Sequence, residues 1–137
     1  MKQLNKAATR TFNKIIERLN DSFSGFQQGD SCTIDKKDGA FTPLSVERLQ
    51  TYDNGTVYTF CHYFIQNGDM CQDPEMLFLA HQSGRVYPMM FQQAIPPVYE
   101  ESLFRENGKW KVNHRLQHQH TTFANMWLKN IKSQQKL

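Results

Sequence analysis

A short acidic stretch is the part of this chain whose residue types best suit chemistry. Residues 66–75 contain Asp69, Asp73 and Glu75, and carboxylates gathered in this way can bind a hard cation or act as general acids and bases. Their spacing does not match the calcium-loop pattern, and the favoured explanation is that they are polar turn residues on a loop over residues 67–74. As an alternative to plain turn residues, the carboxylates would belong to a small enzyme or ligand-binding domain with one polar pocket. The residues of this pocket would be His62, Asn67, Asp69, Asp73, Glu75 and Gln92.

Three histidines lie close together near the end of the sequence and raise the question of a metal site, because imidazole is a common metal ligand. His118 and His120 are two residues apart, with His114 nearby. On the helix predicted there, residues two apart do not face each other, so the pair cannot chelate one ion. His120 falls on the apolar stripe, where we expect a hydrogen-bonded, partly buried side chain. With no paired Cys/His spacing either, the sequence predicts no metal and no cofactor.

Covalent catalysis has little support in the sequence. The chain contains no GxSxG, P-loop, GxGxxG or HExxH motif, so no catalytic residue is predicted. Cys32, Cys61 and Cys71 are odd in number and lack CxxC spacing, which favours reduced thiols. We expect Cys61 to fill an apolar strand, and Cys71 has no basic neighbour that would lower the pKa of its thiol. Whether the protein is an enzyme stays open at this point.

Positive charge is concentrated at the two ends of the chain. Residues 1–20 carry five basic residues and one acidic residue, residues 105–137 carry seven and one, and residues 21–104 carry four and eleven. Such segregation can form a surface for an anionic partner, although a lysine-rich helix face is more often a solvated face that serves solubility. We define the basic helical surface as Lys2, Lys6, Arg10, Lys14, Arg18, Lys129 and Lys132.

Helical periodicity predicts one helix near each end of the chain. Apolar residues three or four positions apart form the first stripe, and a similar stripe lies near the C-terminus. Lys129, Lys132 and Lys136 lie at the end of this second helix, where the helix dipole favours cations. Ser22, Ser24 and Gly25 are predicted to end the first helix. The first stripe consists of Leu4, Ala8, Phe12, Ile15, Ile16, Leu19 and Phe23; the second consists of Leu116, His120, Phe123, Trp127 and Ile131.

Alternating and turn-forming residues predict an antiparallel sheet between the helices. Residues 27–39 are predicted to form a loop with at most a short strand over 31–34, and strands follow over 41–50, 57–66, 75–81, 86–92, 98–106 and 109–113. A two-residue turn at Ser83-Gly84 would place His81 opposite Val86 and Leu77 opposite Met90.

The Asn107-Gly108 turn fixes a second register, with Glu106 opposite Lys109 and Arg105 opposite Trp110. We therefore predict one α+β domain spanning residues 1–137, in which an antiparallel meander of five or six strands carries both helices on one face.

Several short segments of the chain carry a resemblance to known sequences: His62-Tyr63, Gln66-Asn67-Gly68-Asp69, Asp73-Pro74-Glu75-Met76, Pro88, Phe91-Gln92 and Trp127. In these segments the chain resembles a family of uncharacterised small proteins of unknown function found in bacterial plasmids and conjugative elements. The similarity covers about residues 41–131 and implies a mobile-element context but no catalytic residues.

Charge segregation without catalytic motifs favours a non-enzymatic accessory or interaction protein. Its partner would be nucleic acid or another protein, held on the basic helical surface or at the acidic loop of the sheet. A homodimer through an exposed sheet edge or face is a further hypothesis. No apolar run approaches the roughly 20 residues of a membrane span, so we expect a cytoplasmic protein without a membrane partner.

Overall fold

A computed structural model describes residues 1–21, 27–35 and 41–137, with the side chains of residues 65 and 66 outside the description. The predicted helix stop at residues 22–25, Phe23 and the loop residues 36–39 lie outside the described residues. The elements are α1 (Lys6–Asp21), β1 (Ser31–Ile34), β2 (Leu44–Tyr52), β3 (Gly55–Gln66), β4 (Asp69–His81), β5 (Val86–Gln93), β6 (Val98–Glu101), β7 (Leu103–Glu106), β8 (Lys109–Val112) and α2 (His114–Gln134).

The sheet is the predicted antiparallel meander. Strands β1 to β6 pair in chain order, so the short strand at Ser31–Ile34 forms one edge and β6 forms the other. Both helices pack on one face, here called the helix-covered face, and the opposite face is called the outer face. The predicted α+β class and the arrangement of both helices on one face are confirmed.

The core lies mainly between the helices and the sheet. Phe12 of α1 is fully buried against three aromatic rings of β3 and β4, and Trp127 and Ile131 of α2 belong to the same cluster. The N-terminus is tied to α2, because the Gln117 amide accepts from the Lys2 backbone N–H at 2.8 Å and donates to the Lys2 carbonyl. This packing holds the two helices side by side.

The predicted loop over residues 67–74 is wrong. Strand β3 continues to Gln66 and β4 starts at Asp69, so Asn67-Gly68 alone forms a two-residue turn. Asn67 at φ 52° and Gly68 at φ 85° have the positive φ angles that a type I′ hairpin turn requires. The polar residues that suggested a loop are therefore strand residues in a long hairpin.

The β4–β5 register combines one correct prediction with one wrong prediction. Leu77 does lie opposite Met90, but Val86 lies opposite Ala80 instead of His81. A bulge between Leu77 and Phe78 in the pairing shifts the register by one residue, because Met89 is the extra residue on β5.

The segment 98–106, predicted as one strand, is divided at the fully buried Ser102. Strand β6 completes the main sheet, whereas β7 and β8 form a separate hairpin whose predicted register, Glu106 opposite Lys109 and Arg105 opposite Trp110, is confirmed. This hairpin packs on the outer face, where Leu103 joins Val57, Leu79, Tyr87 and Met89 in a second apolar cluster.

Candidate functional site

The basic helical surface lies on the layer of the molecule that α1 and α2 form over the sheet. All seven of its side chains are exposed, and α1 packs directly against α2. Lys129 and Lys132 line a cleft between the helices together with Ala7, Ala8 and Thr11, and this cleft has a volume of about 320 Å³. The small residues of α1 leave room there, so the α2 lysines stand beside the first helix.

Two further clefts extend the positive region around α1. Lys14 and Arg18 line one cleft with Lys136 of the C-terminal segment, and Lys6 and Arg10 line another with Arg85 of the β4–β5 turn. Glu17 and Asp21 are the acidic residues of α1, and α2 contains no Asp or Glu. Across residues 1–21 and 114–137 there are nine Lys and Arg residues, all exposed, and two carboxylates. By sequence alone, residues 22–113 contain seven Lys and Arg and eleven Asp and Glu.

The six residues of the predicted polar pocket do not converge in one cleft. His62 and Asp73 meet in a cleft on the helix-covered face, whereas Glu75 lines a groove on the outer face. Asn67 and Asp69 lie at the β3–β4 turn, and Gln92 pairs with Glu75 on the neighbouring strand. The alternation of strand side chains, interrupted by a bulge between Cys61 and Tyr63, explains this separation.

We call the first of these sites the His62 cleft. It has a volume of about 430 Å³ and lies between the β3–β4 hairpin and the C-terminal half of α2. The Trp127 indole N–H donates to His62 Nδ1 at 3.4 Å, and the two rings meet edge to face with centroids 5.3 Å apart. Its principal lining residues are Phe41, His62, Asp73, Phe123, Met126 and Trp127.

The second site, the outer groove, is a smaller polar depression of about 260 Å³ beside the part of the sheet that the hairpin covers. Burial is the main reason why the pKa of the Cys61 thiol is raised to about 12, and it also raises the pKa of the Tyr63 phenol to about 12. Both groups therefore keep their protons at neutral pH, and Cys61 has no thiolate character that would make it a nucleophile. The carboxylates here are Glu47 and Glu75.

Glu75 carries an electrostatic cost in this groove. Burial raises the pKa of the Glu75 carboxyl, the Thr59 hydroxyl opposes that rise, and the Glu47 carboxylate adds to it. Since the folded protein then holds this proton more tightly than the unfolded chain, the Glu75 contribution to stability falls as the pH rises from 4.5, the ordinary pKa of a glutamate, through the raised pKa of the folded state.

We expect Glu75→Gln to increase the free energy of unfolding at pH 7 by roughly 0.5 kcal/mol, a small value because solvent screens half-exposed charges. The gain should shrink at pH 4, where the wild-type carboxyl holds its proton. Urea unfolding at the two pH values measures this difference. Glu106→Gln, at an exposed position of the β7–β8 hairpin, is the matched control and should show no comparable gain. An equal gain for both variants would show that net charge, not the groove, is responsible.

A serine, a histidine and a glutamate come together where β6 and β7 meet α2. His120 Nδ1 lies 2.9 Å from Ser102 Oγ, and His120 Nε2 lies 3.2 Å from Glu100 Oε1. The types match those of a hydrolase triad, but Ser102 is 0% exposed and also hydrogen-bonds to the Met89 carbonyl, so no substrate reaches its hydroxyl. The predicted hydrogen bonding of His120 is confirmed, although the side chain is buried more deeply than predicted. The cluster fastens α2 to the sheet.

Sequence reasoning missed this cluster because its members are up to twenty residues apart and occupy different elements. The signal available was His120 on an apolar stripe, which indicates a polar partner inside the protein. His118, in contrast, is exposed, so the two histidines do point in different directions. Within residues 1–21, 27–35 and 41–137, no three His, Cys, Asp or Glu side chains are grouped so that they could hold a metal ion.

Comparison with known proteins gives one match. A family model described as a domain of unknown function (DUF6908) matches residues 14–137. No curated protein and no solved structure matches the chain. Among the described residues, neither helix combines the length and the apolar character needed to cross a membrane.

Proposed function

The chain belongs to the DUF6908 family of domains of unknown function, and we propose that it is a non-enzymatic accessory protein that binds nucleic acid on the basic helical surface. The observation that carries this proposal is the side-by-side packing of α1 and α2, which brings basic residues from both ends of the sequence onto one layer. A bacterial plasmid or conjugative-element context and a cytoplasmic location belong to the same proposal.

Electrostatics favours a polyanion on this layer. The phosphates of nucleic acid are closely spaced, and each Lys or Arg that approaches one releases a condensed counterion. The outer groove, which carries Glu47 and Glu75, would repel the same partner, and on the β7–β8 hairpin of that face Glu106 accompanies Arg105, Lys109 and Lys111. Binding should therefore be confined to one side of the molecule.

The surface has the features of non-specific binding. Its residues are mostly lysines on exposed helix faces. The two acidic residues of α1, Glu17 and Asp21, lie at one end of this surface, beside Lys14 and Arg18. Lysine contacts to phosphate position a protein on nucleic acid but do not read base sequence. We therefore expect similar affinities for unrelated sequences of the same length and strandedness.

Fluorescence anisotropy with labelled single- and double-stranded DNA at several salt concentrations tests the proposal. We expect affinity to fall steeply with salt, with a slope of about 0.9 for each phosphate contact to duplex DNA. Lys129→Glu/Lys132→Glu should weaken binding by about tenfold or more and reduce the slope by about two.

The control for net charge is Lys109→Glu/Lys111→Glu. These lysines are also exposed, but they lie on the β7–β8 hairpin, which packs on the outer face. Both double variants change the charge equally, so only the helical variant should lose affinity. Absence of binding at about 50 mM salt, or equal losses for the two variants, would refute the basic helical surface as the binding site.

A further inference from the structure

The cleft between α1 and α2, here called the interhelical cleft, is lined by side chains whose unpaired polar groups are donors. Asn125 Oδ1 accepts from the Asn5 backbone N–H at 3.0 Å, and Asn5 Oδ1 accepts from the Ala8 backbone N–H at 2.8 Å. The Thr11 hydroxyl donates to the Ala7 carbonyl at 3.2 Å. The groups that remain unpaired in the described part of the chain are therefore amide N–H and ammonium donors. The lining residues are Asn5, Ala7, Ala8, Thr11, Asn125, Lys129 and Lys132.

Two lysines concentrate positive charge at this cleft. Lys129 and Lys132 are both exposed and are three residues apart on α2, so their side chains are neighbours and their like charges repel. None of the described residues that line the cleft is Asp or Glu. An anion that accepted hydrogen bonds from both ammonium groups would relieve this repulsion. The cleft therefore favours an anion that carries acceptors only.

The residue types of the cleft indicate which part of a nucleic acid fits it. Bases of single strands bind by stacking on aromatic rings, and no described residue that lines the cleft is aromatic. The phosphate is the group that remains. A phosphate within a strand is a diester with one negative charge, whereas a terminal phosphate is a monoester with a charge of about −1.5 to −2 at pH 7 and three acceptor oxygens. Two neighbouring ammonium groups match the monoester better than the diester.

We propose that the interhelical cleft binds the terminal phosphate monoester of a nucleic acid strand. Lys129 and Lys132 donate to its oxygens, and the amide nitrogen of Asn125 supplies a further donor. This inference rests on the proposed function, because the rest of the strand follows the basic helical surface. It adds a preference for phosphorylated strand ends, which a uniform layer of charge would not have.

Fluorescence anisotropy at one salt concentration tests this preference with single-stranded oligonucleotides of one sequence, labelled on an internal base. The strands carry a 5′-phosphate, a 3′-phosphate or hydroxyl groups at both ends. We expect at least one phosphorylated strand to bind about fivefold to tenfold more tightly than the hydroxyl-ended strand, the gain from roughly one charge-assisted hydrogen bond. A hydroxyl-ended strand that is two nucleotides longer carries a similar charge and should bind only slightly more tightly.

Adenosine monophosphate separates a strand end from a free phosphate monoester. At the same concentration as the phosphorylated strand it should not displace that strand, because it lacks the neighbouring phosphates that contact the rest of the surface. Displacement at equal concentration would assign the cleft to free phosphate monoesters and overturn the proposal.

Ala7→Leu fills the cleft without changing the charge, and the measured quantity is the ratio of the affinities for phosphorylated and hydroxyl-ended strands. Ala7 is exposed on α1, where leucine suits a helix, and the ratio should fall to about one. Ser133→Leu adds bulk at an exposed position of α2 outside the cleft and should keep the wild-type ratio.

Asn125→Asp is the second test, because it keeps an oxygen for the Asn5 N–H but replaces the amide donor with a carboxylate. The ratio should again fall to about one. Asn130→Asp makes the same change at an exposed position of the same helix, beside the His62 cleft, and should keep the ratio. The proposal is overturned if neither phosphate strengthens binding to the wild-type chain, or if each variant gives the same ratio as its control. Hydroxyl-ended strands that still bound in that case would leave the basic helical surface in place, whereas no binding of any strand would refute both proposals.

Discussion

Arg48→Ala should lower the free energy of unfolding by about 3–5 kcal/mol, the usual cost of removing one partner from a buried ion pair. The Arg48 side chain is 2% exposed, and its Nη1 donates to Asp30 Oδ2 at 2.6 Å. Its Nη2 donates to Asn20 of α1, and the guanidinium group lies 5.8 Å from the centre of the Tyr58 ring. Truncation would leave Asp30, which is 11% exposed, without its counter-charge.

Urea unfolding of four variants separates the causes of this loss. Arg48→Lys keeps a charge but cannot reach both Asn20 and Asp30 in a fork, so we expect an intermediate loss. Arg48→Met/Asp30→Leu removes both charges and should recover a large part of the stability. Arg85→Ala, at an exposed position, should change the free energy of unfolding by less than about 0.5 kcal/mol. If the double variant is as unstable as Arg48→Ala, the ion pair is not the cause.

Arg48 also shows where sequence reasoning stops. Local spacing identified both helices and most turns, because apolar periodicity and Asn-Gly pairs act over a few residues. The partners of Arg48 lie eighteen and twenty-eight residues away, on a loop and on α1. A charged residue in a strand normally predicts a solvent-facing position, and only the assembled fold reveals one that is buried and paired.

The same limit applies to the candidate sites. The lysines and arginines of α1 could be placed on its exposed side from their four-residue spacing, but their distance from Lys129 and Lys132 depends on how two helices pack. The acidic stretch was placed on a loop because polar residues flank Asn67-Gly68. A long hairpin can be polar near its tip, where fewer neighbours cover its faces, so polarity alone did not distinguish strand from loop.

The His62 cleft depends on contacts that no sequence window contains. Trp127 is sixty-five residues from His62, and the bulge between Cys61 and Tyr63 changes which side chains share a face. Apolar spacing correctly placed Trp127 on the buried stripe of α2. It could not indicate that the indole N–H of Trp127 meets a histidine of the central sheet.

Phe12→Ala should have the other large effect, with a loss of about 3–5 kcal/mol from the free energy of unfolding. Phe12 is 1% exposed and is the contact of α1 with the aromatic centre of the sheet. Its ring stacks on Phe60 with centroids 5.1 Å apart and meets Phe78 at 5.6 Å and Tyr58 at 5.9 Å. The substitution would leave a cavity among rigid rings that cannot collapse to fill it.

Phe12→Leu tests whether volume is the cause, since it retains most of the apolar bulk and should cost less than about 2 kcal/mol. Phe104→Ala, at a half-buried position of the β7–β8 hairpin, is the control for loss of a phenyl ring away from α1 and should also cost clearly less than Phe12→Ala. Urea unfolding followed by circular dichroism measures all three. A loss below about 1 kcal/mol for Phe12→Ala would mean that α1 is held mainly by its other contacts. In that case contacts other than those with the aromatic centre of the sheet would position the lysines and arginines of α1 beside α2.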